Sequence, residues 1–536
     1  MSSEKRESYI GVSIGNYNSV IAVLSGKEGI IDVIANEDGD HKTPTYLAFS
    51  DSELYSGSQA KHQSVYNHAN TIVGFMEHLS KTSSEVVSDT AKNSCKLVTG
   101  KSGEPSYIIT KEDGKQEEYT AYQILVKFVE QLKNTATKNL GSNIDGAVLS
   151  IHSGWSSDQI NLFLNACKEA SLPVLQLITE SSAGILASGL LDAPVDELVI
   201  IANVGATKTD LSLTNVRYGI ELPIDTISFS DFSGEKIDYL LMKHFADEFK
   251  RSSGIDVLAN NKPREILKLR YGCEYTKHTL RNSSSNSVIV PCTIESLSGG
   301  IDFSSKITKL RFEMLCNKFG SVLEEKANEL LKKNGYSPLE VSSVLFMGGS
   351  ADASQKVVNK FMSLFPNAKK ITQSHTLDEM VAVGCAKQAH LIHENNNLIS
   401  GPTDFTIANV NSLTAPIGLK LSETSFLPVL QKQTPVPASR TIKVSLPPNS
   451  SEDAYFAICE GKANPLPTVN EDEDNEDEQP IPAAYSPSTL LGEFSLKVPT
   501  NNVSSEIEVT FFVDAQGQLT VSAKDLKSNA EASIQI

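Results

Sequence analysis

Two stretches built on one plan constrain this chain more than any other feature. Residues 9–25 read "YIGVSIGNYNSVIAVLS" and residues 198–213 read "LVIIANVGATKTDLSL". Each sets alternating apolar residues on both sides of a turn of small and polar residues, the patterning of a β-hairpin rather than of a strand leading into a helix. The turns lie about 190 residues apart, so the chain reads as a duplicated α/β architecture in which each half donates one turn to a shared cleft. The second turn, "ANVGATKTD" at 202–210, carries a single glycine, Gly205, and an unexpected lysine, Lys208.

Between the hairpins, the spacing of apolar residues predicts helices over 121–140 and 158–172. Residues 341–365 predict a buried strand, a Gly348-Gly349-Ser350 turn and a helix whose N-terminus faces whatever occupies the turn. Such a unit either receives an anion or is a plain strand-to-helix connection. After residue 395 short alternating segments such as "RTIKVSL", "AYFAICEG", "EIEVTFFV" and "QLTVSA", broken by Pro, Gly and Asn, predict a separate β domain. The expected division is an α/β domain over 1–395, a linker over 396–414 and a β domain over 415–536. Within the last, "EDEDNEDE" marks a self-repelling, disordered insertion at 468–486, either a solubilising segment or a contact for a basic partner.

A chain of 536 residues exceeds what one hydrophobic core supports. Its net charge of −18 argues against a nonspecific grip on nucleic acid or on an anionic membrane. The start has no apolar segment followed by a small-residue cleavage site, and no apolar run reaches membrane-spanning length, so a cytoplasmic protein is expected. Seven scattered cysteines without a CxxC pair suit reduced thiols, and the ten histidines show no metal-binding spacing, so no metal site is expected.

The two hairpins, the GGS turn, "CEYTKHTL" at 273–280 and the C-terminal β domain occur in an order that resembles the heat-shock-70 chaperones of the actin-like ATPase superfamily. The resemblance runs from Ile10 to Ile536 and is most specific in "ACKEASLPVLQLITESSAG", "GIDFSSKITKLRFEML", "LDEMVAVGCA" and "EIEVTFFVDAQGQLTVSAKD". It implies a two-lobed actin-like nucleotide-binding domain followed by a small all-β sandwich domain, here without the helical lid.

The same resemblance implies a set of ATP contacts. The first hairpin supplies Gly11, Gly15, Asn16 and Tyr17, and the second supplies Gly205, Ala206, Thr207 and Lys208. Glu274, Lys277, His278, Gly348, Gly349, Ser350 and Asp378 match the adenosine side, with Arg281 in place of a small hydroxyl residue. Lys208 either lends a positive charge to the phosphates or is a solvated lysine on an altered turn.

Three positions depart from the family. Ser13 stands where a carboxylate helps to hold hydrated magnesium, Asn203 replaces a second carboxylate, and Met76 replaces the catalytic lysine, whereas Glu180 and Asp210 keep their acids. Removing one such group commonly lowers the rate about 10²- to 10³-fold, so the expectation is ATP binding with hydrolysis lost and no catalytic residue left. Magnesium dependence stays open.

These losses, the missing lid and the acidic insertion are together similar to the atypical heat-shock-70 subunits of fungal ribosome-associated complexes. That likeness implies a cochaperone stably bound to a J-domain protein of the zuotin type. It would assist an active heat-shock-70 chaperone and reach the ribosome and nascent chains indirectly, with no membrane and no direct nucleic-acid contact. The alternative is a slow, active chaperone ATPase that binds unfolded peptides itself.

Overall fold

The computed structural model describes residues 8–25, 30–51, 53–79, 95–100, 103–192, 195–217, 219–283, 285, 287–394, 413–432, 434, 436–446, 453–463, 485–498, 505–514 and 516–536. The chain divides into two compact units, Met1–Thr406 and Ile407–Ile536. Most of the expected linker, and the acidic insertion up to residue 484, lie outside the described residues; Tyr485 already begins a strand.

The first lobe of the first unit is built on β1 (Tyr9–Ile14), β2 (Asn18–Ser25) and β3 (Ile30–Val33), joined in the sheet by later strands. The expected hairpin is present: β1 and β2 pair antiparallel with Ile14 opposite Ser19. Helix α1 (Ala121–Leu140) begins at a capping box formed by Thr120 and Gln123 and ends at Gly141 in the left-handed conformation. It buries Ile124, Leu125, Phe128, Val129, Leu132 and Ala136, one apolar stripe at helical spacing. Strand β4 (Gly146–Ile151) pairs parallel with β1; α2 (Ser157–Glu169), β5 (Val174–Thr179) and α3 (Glu180–Ser188) complete the lobe.

The second lobe repeats the plan. Strands β6 (Asp196–Val204) and β7 (Thr209–Arg217) form the second hairpin, with Val204 opposite Thr209, and β8 (Ile220–Phe229) extends it. Helices α4 (Gly234–Ser253), α5 (Pro263–Arg281) and α6 (Lys309–Lys333) follow. Strand β9 (Ser343–Met347) lies parallel to β6, and both are buried on each face, which is why they read as nearly unbroken apolar runs. Helix α7 (Gln355–Ser363), the short β10 (Lys369–Lys370) and α8 (Met380–Glu394) end this unit.

The second unit has two four-stranded antiparallel sheets around one core that includes Ile458, Ile507, Val509, Phe511 and Val521. The alternating segments noted in the sequence fall in the strands Ala438–Leu446, Asp453–Ala463, Ser505–Val513 and Leu519–Asp525. All seven cysteines are buried and unpaired. No helix among the described residues is long and apolar enough to cross a membrane.

Two expectations are corrected here. Gly11 offers no approach to a ligand, because α8 lies directly on it: a Cβ at Gly11 would overlap the backbone of Ala382 and Ala386. The helix after the GGS turn starts only at Gln355, and its first amides are already occupied, since Gln355 N–H and Lys356 N–H donate to the Glu313 carboxylate at 3.1 Å each. That N-terminus therefore receives a side chain of this protein rather than a ligand. Gly11→Ala should force α8 off β1 and lower stability by about 1–3 kcal/mol, measured as a lower urea midpoint with an unchanged slope.

Candidate functional site

The turns of the two hairpins face one another across a cleft of about 270 Å³. It is lined by Ser13, Gly15, Asn16, Tyr17, Met76, Glu180, Asn203, Gly205, Ala206, Thr207, Lys208 and Asp210, and farther along by Glu274, Lys277, His278, Gly348, Gly349, Ser350 and Asp378. Of the residues singled out in the sequence as ATP contacts, Gly11 alone stands apart. Five segments distant in sequence thus converge, two of them the equivalent turns that the duplicated sheets bring to one opening.

Each turn is tight. Gly15 N–H donates to Asn18 O at 3.1 Å and Gly205 N–H to Lys208 O at 2.9 Å. The start of α4 is stitched to the second turn, with Gly234 N–H donating to Gly205 O at 3.0 Å and Glu235 N–H to Ala206 O at 2.8 Å. The amides of Ala206, Thr207 and Lys208 have no acceptor among the described residues and remain available to an anion. Contacts also cross between the lobes: Asn16 Nδ2 donates to Thr207 Oγ1 at 2.7 Å, and the Tyr17 hydroxyl donates to Glu235. Lys208 is exposed at the rim.

The altered positions form the floor. Asn203 Nδ2 donates to Glu180 Oε2 at 2.6 Å, so the amide directly engages the retained acid. Burial pushes the Glu180 carboxyl up, and Asp210 adds to the rise, while His152 and the Asn203 bond oppose it. Met76 sits in the 3₁₀ turn Phe75–His78 as part of the apolar core. Ser150, at the end of β4, also lines the floor, and its Oγ is buried without a partner, a polar atom that a bound ligand or water would satisfy.

At the far end, side chains are braced before any ligand arrives. Lys61 Nζ holds both oxygens of Glu274 at 2.9 Å, and Lys277 Nζ meets Asp238 Oδ1 at 2.7 Å. Arg281 pairs with Asp352 at 2.7 Å and donates to Gly349 O at 3.3 Å, so it supports the glycine turn from behind. Gly348 has a φ of 91°, and a Cβ there would strike Val204 O and the Asn203 side chain, so only glycine allows this approach. Burial, with Lys277 beside it, holds the His278 ring down to about 4, leaving a neutral aromatic face. Burial works against a charged Asp378, but Lys42, 2.6 Å away, overcomes it and holds the carboxyl down to about 2.

The sequence reading did not single out Lys42, Ser150, His152, Glu235, Asp238 or Arg270, all of which line the cleft. The partners of Lys42, His152, Glu235 and Asp238 lie far away in the chain. The repeated hairpin plan offered one available signal, since Ser150 lies near the end of the strand that pairs with the first hairpin and His152 immediately follows it. Among the described residues, no group of three or more His, Cys, Asp or Glu side chains is arranged to hold a metal ion.

The sequence profile of Hsp70 proteins matches residues 9–536. The chain belongs to the Hsp70 family. A heat shock protein 70 homologue of Schizosaccharomyces pombe is 31% identical, over 97% of this chain and 94% of its own. The ribosome-associated complex subunit SSZ1 of Saccharomyces cerevisiae is 27% identical, over 97% of this chain and 98% of its own. Heat shock cognate 70 kDa protein 3 of Dictyostelium discoideum is 28% identical, over 96% of this chain and 78% of its own.

Family membership confirms the two-lobed ATPase fold and a chaperone that binds nucleotide. It also overturns the expectation that hydrolysis is lost, because Hsp70 proteins are ATPases. Neutral residues at 13, 76 and 203 leave Glu180, Asp210, His152 and Lys208 in the cleft, so charged groups still line it. The three neutral positions do not strip the cleft of charge, because charged groups contributed by distant segments remain.

The depressed Asp378 carboxyl has a consequence for stability. An unfolded aspartate titrates near 3.9, so the Asp378–Lys42 pair contributes fully above about pH 4 and loses its effect as pH falls towards 2. The stability gap between the wild type and Asp378→Asn in urea unfolding should therefore be full at pH 6 and shrink between pH 4 and 2.

Proposed function

We propose that this protein is an ATP-binding Hsp70-family cochaperone that forms a stable complex with a J-domain protein and assists a ribosome-bound Hsp70 chaperone in folding nascent polypeptides. Its place of action on this reading is the cytoplasm, at ribosomes. The observation that carries the reading is the similarity to the ribosome-associated complex subunit over nearly the whole of both chains. The neutral residues at positions 13, 76 and 203 support it, because the resemblance read from the sequence implies charged residues at those positions.

ATP fits the residues present. The free amides of Ala206, Thr207 and Lys208 and the exposed ammonium of Lys208 would receive the phosphates. The neutral ring of His278 would stack against the base, and the Gly348–Ser350 turn would let the adenosine approach the backbone closely.

Two experiments test this reading. Purification from native cells should yield the protein with a stoichiometric J-domain protein, cosedimenting with ribosomes; a monomer free of both contradicts it. Lys208→Ala should weaken ATP binding about tenfold, the loss of one charge-assisted hydrogen bond, as measured by calorimetry; an unchanged affinity returns Lys208 to the status of a solvated side chain.

A further inference from the structure

His152 immediately follows β4 in the first lobe, and its Nε2 lies 2.8 Å from Asp210 Oδ2 on β7 of the second. Both side chains are largely buried and line the cleft. On its other side the ring accepts a hydrogen bond at Nδ1 from Gly154 N–H, 3.0 Å away. This bond fixes the neutral tautomer: Nδ1 bears the lone pair and Nε2 the proton, close to the carboxylate but without a hydrogen bond to it. Asp210 is held in turn by the Ser228 hydroxyl.

We propose that His152 is a phosphate-binding residue of the nucleotide site, one that takes up a proton from solvent at Nδ1 as the polyphosphate of a nucleoside triphosphate enters the cleft. This inference rests on the nucleotide-binding reading above and adds to it a cation that the sequence does not reveal. Met76 contributes no charge to the cleft, and an imidazolium adds one positive charge there. The charged groups facing the ring are Asp210 from β7 and Glu180 from α3, both favouring the charged form, and Lys208 from the turn, which opposes it.

Burial disfavours the imidazolium, but the contact with Asp210 and the charges of Asp210 and Glu180 outweigh it, so the ring is held above its usual range before any ligand is present. A polyanion close by moves it further in the same direction. Protonation also turns Nδ1 from an acceptor into a donor. Protonation there gives up the Gly154 bond, a cost that the attraction between the imidazolium and an anion in the cleft has to offset. Anion binding and protonation therefore favour each other, and each must strengthen the other by the same factor.

The test uses the full chain, ATP, and calorimetry in buffers of different ionisation enthalpy. His152→Gln keeps a side-chain donor but cannot become charged, and it subtracts the titration of ATP itself. The wild type should take up about half a proton more than this variant near pH 7.5, and its affinity relative to the variant should fall about fivefold between pH 6.5 and 8.5. Nitrogen-15 spectra of the wild-type histidines provide a second readout that does not depend on the variant's affinity. The His152 ring should show the Nε2–H tautomer without ligand at high pH and titrate at least about one pH unit higher with ATP. Equal proton uptake in the two proteins, or a His152 resonance unmoved by ATP, overturns the role of His152 alone. Failure of the wild type to bind ATP at any pH overturns the nucleotide reading and this role with it.

Discussion

The first unit depends on a backbone-to-backbone contact at the joint of its two lobes. Helix α8 packs on α3 and β1 through Gly384 and Gly11, where a single added carbon would overlap Ala183 on one side and Ala382 and Ala386 on the other. Around this joint, Val148 of the first sheet and Val199, Ile201, Leu345 and Met347 of the second share one core with Met380, Val381 and Cys385 of α8. The lobes are thus joined below the cleft by close packing that admits little sliding. Above it they meet through polar side chains, Asn16 with Thr207 and Lys61 with Glu274. A rigid base under a polar opening is an arrangement that can admit a ligand without disturbing the core.

The chemistry of the cleft follows from where its charges lie. The altered floor positions are neutral, yet their surroundings are not: Asn203 engages Glu180, and Asp210 is approached by His152 and Ser228. Three substitutions read one at a time predict a dead site. Read together with distant neighbours, they describe a site whose charges are arranged differently, within a family whose members are ATPases.

Much of this was legible in the sequence because it is local. Alternation about a short turn fixed both hairpins, and helical spacing placed Ala121–Leu140 at its observed bounds. What the sequence hid is long-range. Gly11 resembles a phosphate-approach glycine until α8, some 370 residues later, is seen resting on it. The N-terminus of α7 resembles an anion site until Glu313, 42 residues before Gln355, is found capping it. His152 drew no attention because its partner Asp210 belongs to the other lobe. A turn or a helix can be read from its own residues, but the occupant of its polar groups cannot.

The central claim is that the two hairpin turns form one nucleotide site. Hydrogen exchange of the full chain with and without ATP tests it most directly, because bound phosphates would occupy amides that now lack acceptors. The account predicts slower exchange at residues 206–208 together with residues 16 and 17 and Gly349, whose amides lack acceptors among the described residues, and little change in the second unit. Unchanged exchange at both turns under saturating ATP, or protection confined to one of them, would contradict it.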